Sequence, residues 1–287
     1  MLVVESGHGG SCEPAGEGDD GRCGLGRVSA VAGAARDLLG DVLGLALPAT
    51  CAGCDGPAPV LCATCRGLLT RGARPAWPDP VPDGLPPPWA VATYSGAVRD
   101  IVIAHKEHGR RALAEPLGAA LASSVAAALG GIPPSRAAVL VPMPSRAAAV
   151  RARGHDPTLA MTRQAAAKLR RDGRRVSVLP VLRLARSVRD QAGLDAAARS
   201  ANLAGAVLLP ARYRRLLPSG DQPGGAREAA IVLVDDIVTT GASLASAAAT
   251  LRREGTPVLA AALVAATPRR TTSSARAEPQ AVDRCGC

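Results

Sequence analysis

The residues best equipped for chemistry in this sequence are an adjacent carboxylate pair, Asp235-Asp236, and two Cys-x-x-Cys pairs, Cys51/Cys54 and Cys62/Cys65. The carboxylates follow four aliphatics, Ile231-Val232-Leu233-Val234, the pattern of a strand buried on both faces. Neighbouring side chains on a strand point to opposite faces, so two carboxylates at its carboxyl end flank the crevice where open parallel sheets take ligands. Carboxylates accept hydrogen bonds from sugar hydroxyls. Thr239-Thr240-Gly241-Ala242-Ser243 comes next; small residues at a helix N-terminus present backbone N–H groups and a dipole that suit a phosphate. One stretch is thus suited to a ribose and its 5′-phosphate together. A plain solvated turn with Asp or Ser capping the helix is the alternative, and the desolvation cost of two acids beside a buried strand argues against it.

Other phosphate loops are excluded by inspection. The two lysines, Lys106 and Lys168, both lack a P-loop context, and no G-x-G-x-x-G follows a strand pattern. In the cysteine cluster, seven residues separate the two Cys-x-x-Cys pairs. That spacing suits one tetrahedral structural Zn²⁺, with a pair of disulfides as the alternative.

These groups must be positioned by an aliphatic frame. Hydrophobic residues make up 47% of the 287, aromatics 1%, and Phe is absent. The formal charge of +10 favours anionic partners, although with 32 arginines against two lysines much of it reflects a biased composition. No apolar run approaches the roughly 20 residues that cross a bilayer, and no basic patch precedes an apolar N-terminal segment, so neither a membrane span nor a secretory signal is expected. Residues 1–27 read as a disordered leader and 268–287 as a disordered tail, with Cys12, Cys23, Cys285 and Cys287 as bystander thiols. Spaced aliphatics over 28–47 predict a short amphipathic helix ahead of the cysteines, together spanning 28–74; the proline-rich run 75–88 reads as a stiff linker.

From 89 to 267 strand-like and helix-like segments alternate, the mark of a parallel sheet with crossover helices. Strands are expected at Ala90–Tyr94, Ala138–Val141, Val176–Leu179, Ala229–Val234 and Val258–Ala265. Helices are expected at Val98–Lys106, Arg111–Leu129, Thr158–Arg171 and Ala242–Glu254, with Asp235–Gly241 a loop and Leu182–Leu209 an exposed excursion.

VLVDDIVTTGAS resembles the phosphoribosyl-pyrophosphate (PRPP) motif of type I phosphoribosyltransferases. By that likeness the fold is a type I phosphoribosyltransferase-like parallel sheet flanked by helices, Asp235 and Asp236 hold the ribose hydroxyls, and Thr239, Thr240, Gly241, Ala242 and Ser243 cradle the 5′-phosphate. Mg²⁺ accompanies PRPP in that family. VPMPSRAAAVRARGHDP, RSVRDQAGL with RSANL, and AHKEHGRR are similar to segments of the ComF (competence protein F, GntX-like) family. The resemblance implies a pyrophosphate loop over Val141–Ser145, including Met143, Pro144 and Ser145, with Arg153 as an anion contact. It also implies a mobile loop bearing Gln191, Arg199 and Asn202, and a lysine at Lys106. His155 and Asp156 stand where many members carry Phe and Asn.

That family also carries an N-terminal zinc module, implying one structural Zn²⁺ per chain on Cys51, Cys54, Cys62 and Cys65. The PRPP chemistry implies a reducing cytoplasm, where disulfides rarely persist. The resemblance implies PRPP binding and single-stranded DNA handling during natural transformation, with DNA and a competence helicase or recombination mediator as partners. A nucleobase-salvage phosphoribosyltransferase transferring the pentosyl group from PRPP, and a PRPP-sensing regulator, are the alternatives on the same fold.

Overall fold

The computed structural model describes residues 50–184, 207–217 and 229–268. All belong to a unit spanning Ala49–Cys287; the other unit, Met1–Pro48, lies outside them. The expected leader, the helix over 28–47, the tail beyond Pro268 and the four bystander cysteines are likewise outside the described residues.

Five strands form the parallel part of the sheet: β2 (Pro88–Thr93), β3 (Ala138–Pro142), β4 (Val176–Val178), β7 (Ala230–Val238) and β8 (Ala260–Ala266). A short antiparallel strand, β1 (Arg74–Pro75), sits at one edge, and the order is β1-β2-β8-β7-β3-β4. β5 (Arg183–Leu184) and β6 (Val207–Leu208) pair separately as a two-stranded ribbon. The helices are α1 (Ala63–Leu68), α2 (Gly96–Lys106), α3 (Ala114–Ala128), α4 (Ala147–Arg153), α5 (Pro157–Arg171), α6 (Ala211–Arg214) and α7 (Ala242–Arg253). The protein is therefore a mixed α/β structure with a mostly parallel central sheet flanked by helices.

Strand periodicity decides which core each residue joins. In β7, Val232 and Val234 face α2, α3 and α5, packing with Leu140, Ile101, Leu117 and Met161. Ile231 and Leu233 face the opposite way, with Val141, Leu263, Leu244 and Leu251 of α7. Without aromatic bulk, contact depends on close approach. Gly118 lets α3 lie against α5: a Cβ there would come 2.9 Å from the Met161 carbonyl and 3.1 Å from the Ala165 nitrogen.

From β3 the chain moves outward to β4, then returns past β3 to β7 and proceeds the other way to β8. The carboxyl ends of β3 and β7 therefore border a topological switch point, where α/β sheets open a crevice.

Four features depart from the sequence reading. Of the expected exposed excursion, Leu182, Val207 and Leu209 are buried. β7 runs through Asp235-Asp236 to Val238 instead of ending at Val234, because β8 continues to pair with it, Asp235 opposite Leu263 and Val238 opposite Ala266. The stretch after β3 contains a helix, α4, where only a loop and an anion contact were expected. The proline-rich run lies along the sheet: Arg74 and Pro75 pair with Ala90 and Trp89, Leu85 is buried, and Arg252 Nη2 donates to the Gly84 carbonyl at 2.8 Å. Prolines exclude helix and central strand but leave an edge strand and extended chain available.

Candidate functional site

Two consecutive residues of β7 carry the centre of the crevice. Asp236 has the parity of Val232 and Val234 and projects toward α2, whose last residue, Lys106, meets it with Nζ 2.6 Å from Oδ2. Asp236 is 4% exposed, so this ion pair is held away from bulk water on the acid's side. Burial alone would lower the Lys106 ammonium's pKa, but the negative charges of Asp236 and Asp235 outweigh it and raise the value. Asp235 is half-buried; desolvation first, then the adjacent charge of Asp236, push its carboxyl well above the ordinary carboxylate range, with Lys106 pulling the other way. Local backbone donors brace both acids. Asp236 N–H donates to Asp235 Oδ1 at 2.9 Å, and Ile237 N–H to Asp236 Oδ1 at 2.8 Å.

The turn after β7 begins with exposed Thr239 and Thr240 and enters α7 at Gly241, φ +75°. A side chain at Gly241 would be strained by that backbone and would come within 3.0 Å of Leu85 and 3.3 Å of Pro78. Gly241 brings no capping side chain to α7, and Thr240 Oγ1 accepts from the Ala242 N–H at 3.4 Å. Ser243 is exposed.

β3 delivers the other wall. Met143 N–H donates to the Val234 carbonyl at 2.8 Å, extending β3's alignment with β7 past Pro142. Pro144 and Ser145 follow half-buried, and Ser145 Oγ donates to Asp156 Oδ1 at 2.9 Å. Asp156 caps α5 by accepting from the Leu159 N–H at 3.1 Å, with Pro157 at the first helical position. Arg153 ends α4 and pairs with Glu107 at 3.4 Å, directly after Lys106. The crevice thus joins Asp235, Asp236, Lys106, Met143, Ser145, Arg153 and the turn 239–243 through linked elements. Gln191, Arg199 and Asn202 lie outside the described residues.

Sequence reasoning missed Glu107 and His105, and it noted Asp156 only by its family position, without its capping role. Asp156-Pro157 carries a readable helix-start signal. His105 is 2% exposed, with Nε2 3.2 Å from the Pro157 carbonyl and Nδ1 3.4 Å from that of Arg110; desolvation lowers its pKa. It ties the end of α2 to the start of α5. Its place at i+7 from Val98, on the stripe of Ile101 and Val102, was the available signal for burial.

The four cysteines form a second centre. Their sulfurs all lie within 4.8 Å of one another, with Cys54 Sγ 3.7 Å from Cys62 Sγ, and all four are free thiols. Zn–S bonds of about 2.3 Å at tetrahedral angles place sulfurs about 3.8 Å apart, so the cluster fits a structural zinc. Backbone donors point at the sulfurs: Cys62 N–H lies 3.3 Å and Gly53 N–H 3.5 Å from Cys51 Sγ, and Cys65 N–H 3.5 Å from Cys62 Sγ. The Cys65 N–H is the main cause that holds the Cys62 thiol down to about 6. The knuckle shares the main core. A Cβ on Gly53 would come 3.1 Å from Ile101 and 3.2 Å from Ala97 of α2, and Arg110 Nη2 donates to the Thr50 carbonyl at 2.6 Å.

Neither a family model nor a curated protein matches this chain. Among the described residues no helix is long and apolar enough to cross a membrane.

Proposed function

We propose that this chain is a ComF-like protein that binds Mg²⁺–PRPP on a type I phosphoribosyltransferase-like fold and serves single-stranded DNA handling in the cytoplasm during natural transformation. The observation that carries the reading is the in-strand pair Asp235-Asp236 at a topological switch point, ion-paired to Lys106 and followed by an exposed Thr/Gly turn at the start of α7. In this reading the two carboxylates accept the ribose hydroxyls. Thr239, Thr240 and the first-turn N–H groups over Gly241–Ser243 take the 5′-phosphate. Met143, Pro144 and Ser145 border the pyrophosphate, with Arg153, Gln191 and Arg199 as cationic and polar contacts. Mg²⁺ arrives with PRPP and offsets the pyrophosphate charge. Zn²⁺ on Cys51, Cys54, Cys62 and Cys65 is structural, supplying folding energy to a segment with little core of its own.

The chemistry available at such a site is positioning and charge neutralisation, for which no separate general base is required. DNA binding would rest on arginine–phosphate contacts and would weaken steeply with salt. A nucleobase-salvage transferase or a PRPP-sensing regulator would use the same acidic pair. The test is pyrophosphate release from Mg²⁺–PRPP with a panel of nucleobases, run beside single-stranded DNA binding at two salt concentrations. Salt-sensitive DNA binding without base-dependent release supports the DNA-handling reading. Base-dependent release with salt-insensitive or absent DNA binding replaces it with salvage.

A further inference from the structure

The four knuckle sulfurs differ in their access to solvent and in how firmly they are held. Cys51, Cys62 and Cys65 are buried, whereas Cys54 is half-buried in the turn 52–54. Cys51 Sγ takes the N–H groups of Cys62 and Gly53, and Cys65 lies inside α1. Cys54 and Cys62 stand outside helix and strand, Cys62 as the N-cap of α1, so a small shift of either breaks no backbone ladder. Their sulfurs are 3.7 Å apart, and a disulfide sets its sulfurs about 2.05 Å apart. Metal-ligating cysteines are thiolates, the form that peroxide oxidises. With hydrogen peroxide as oxidant, Cys54 Sγ attacks the O–O bond: an S–O bond forms and one oxygen leaves as hydroxide. Cys62 Sγ then attacks Cys54 Sγ, forming S–S and expelling the second hydroxide. Two sulfurs give up two electrons, and both hydroxides take a proton from solvent to become water.

We propose that the knuckle is a peroxide-sensitive switch, in which a reversible Cys54–Cys62 disulfide displaces the metal and loosens α2, the helix that carries Lys106. Such a disulfide leaves only Cys51 and Cys65 as ligands, half of what a closed structural site needs. The coupling to α2 is steric and short. A Cβ on Gly53, the neighbour of Cys54, would come 2.9 Å from Cys65 Sγ, 3.1 Å from Ile101 and 3.2 Å from Ala97, so movement at Cys54 disturbs the helix at once. Past the other end of α2, Arg110 Nη2 donates to the Thr50 carbonyl, next to Cys51. The knuckle thus holds α2 at its first turn, its middle and just beyond its last residue. The proposal rests on the zinc reading of the cluster and is independent of PRPP.

The test uses the full chain with Cys12, Cys23, Cys285 and Cys287 replaced by serine, which keeps only the knuckle thiols. Wild type, mapped in the same way, takes its place should that variant fail to fold. Zinc in the reduced protein is measured first by elemental analysis, and its absence removes the zinc reading and the switch together. On titration with hydrogen peroxide, about one zinc per chain should be released to a chromophoric chelator, in step with a Cys54–Cys62 disulfide found by peptide mass spectrometry. Hydrogen exchange over Gly96–Lys106 should quicken by about tenfold or more, and dithiothreitol with Zn²⁺ should restore the starting state. Zinc retained under peroxide, a disulfide between other cysteines, irreversible sulfinic acid, or unchanged exchange over α2 each overturns the switch while leaving the zinc site standing.

Discussion

Asp236 and Lys106 form a contact that is costly to break from one side. With the acid 4% exposed and the lysine side chain 33% exposed, Lys106→Met strands a buried carboxylate. We expect a loss of about 3 kcal/mol, the lower end for breaking a buried pair because the lysine reaches solvent. Lys106→Met combined with Asp236→Leu should recover part of that loss in denaturant melts; no recovery would mean the pair is not coupled. Asp235 predicts the opposite sign. Its raised pKa means the folded state holds its proton more tightly than the unfolded chain, so its contribution falls as pH rises from the unfolded value near 3.9 through the folded one. Asp235→Asn should therefore melt at or above the wild-type temperature at pH 7. Ribose hydroxyls donate best to the ionised carboxylate, so wild-type affinity for Mg²⁺–PRPP should rise with pH until Asp235 is deprotonated, and calorimetry across pH reads this directly. A flat profile in wild type would remove Asp235 from the site.

At the scale of elements, the turn joining β7 to α7 is fixed by Gly241. Its φ of +75° and the nearness of Leu85 leave no place for a side chain. Gly241→Ala should cost at least about 1–2 kcal/mol, the penalty of a left-handed backbone for an L-residue, visible as a lower melting temperature. Unchanged stability would mean that the turn and the proline-rich run are not packed together. The unit from β7 to β8 was legible in the sequence because an unbroken aliphatic run, a small-residue turn and a periodic helix agree there. Its boundary was not, since polar Asp235 and Asp236 resemble a strand's end while β8 continues to pair with Asp235, Ile237 and Val238. Short α4 was hidden by its Arg/Ala sequence within a proline-bounded loop. The proline-rich run looked like a spacer because its contacts, such as Arg252 to Gly84, join residues far apart in the chain.

Across the whole molecule, the cysteine knuckle, α2 and the crevice share one core. Gly53 packs on α2, Arg110 holds the knuckle at Thr50, and α2 ends in the lysine that meets Asp236. Cys62→Ser should take bound zinc from one per chain to near zero by elemental analysis. It should also lower the melting temperature by about 5–10 °C, corresponding to 2–3 kcal/mol in a domain of this size. Retained stoichiometric zinc would assign the metal to other ligands. The central claim concerns the crevice, and calorimetric titration of Mg²⁺–PRPP into wild type and the Asp235→Ala/Asp236→Ala variant tests it most directly. The account predicts saturable binding to wild type and none to a variant that remains folded by circular dichroism. Equal affinity in both, or no binding to wild type, would contradict it.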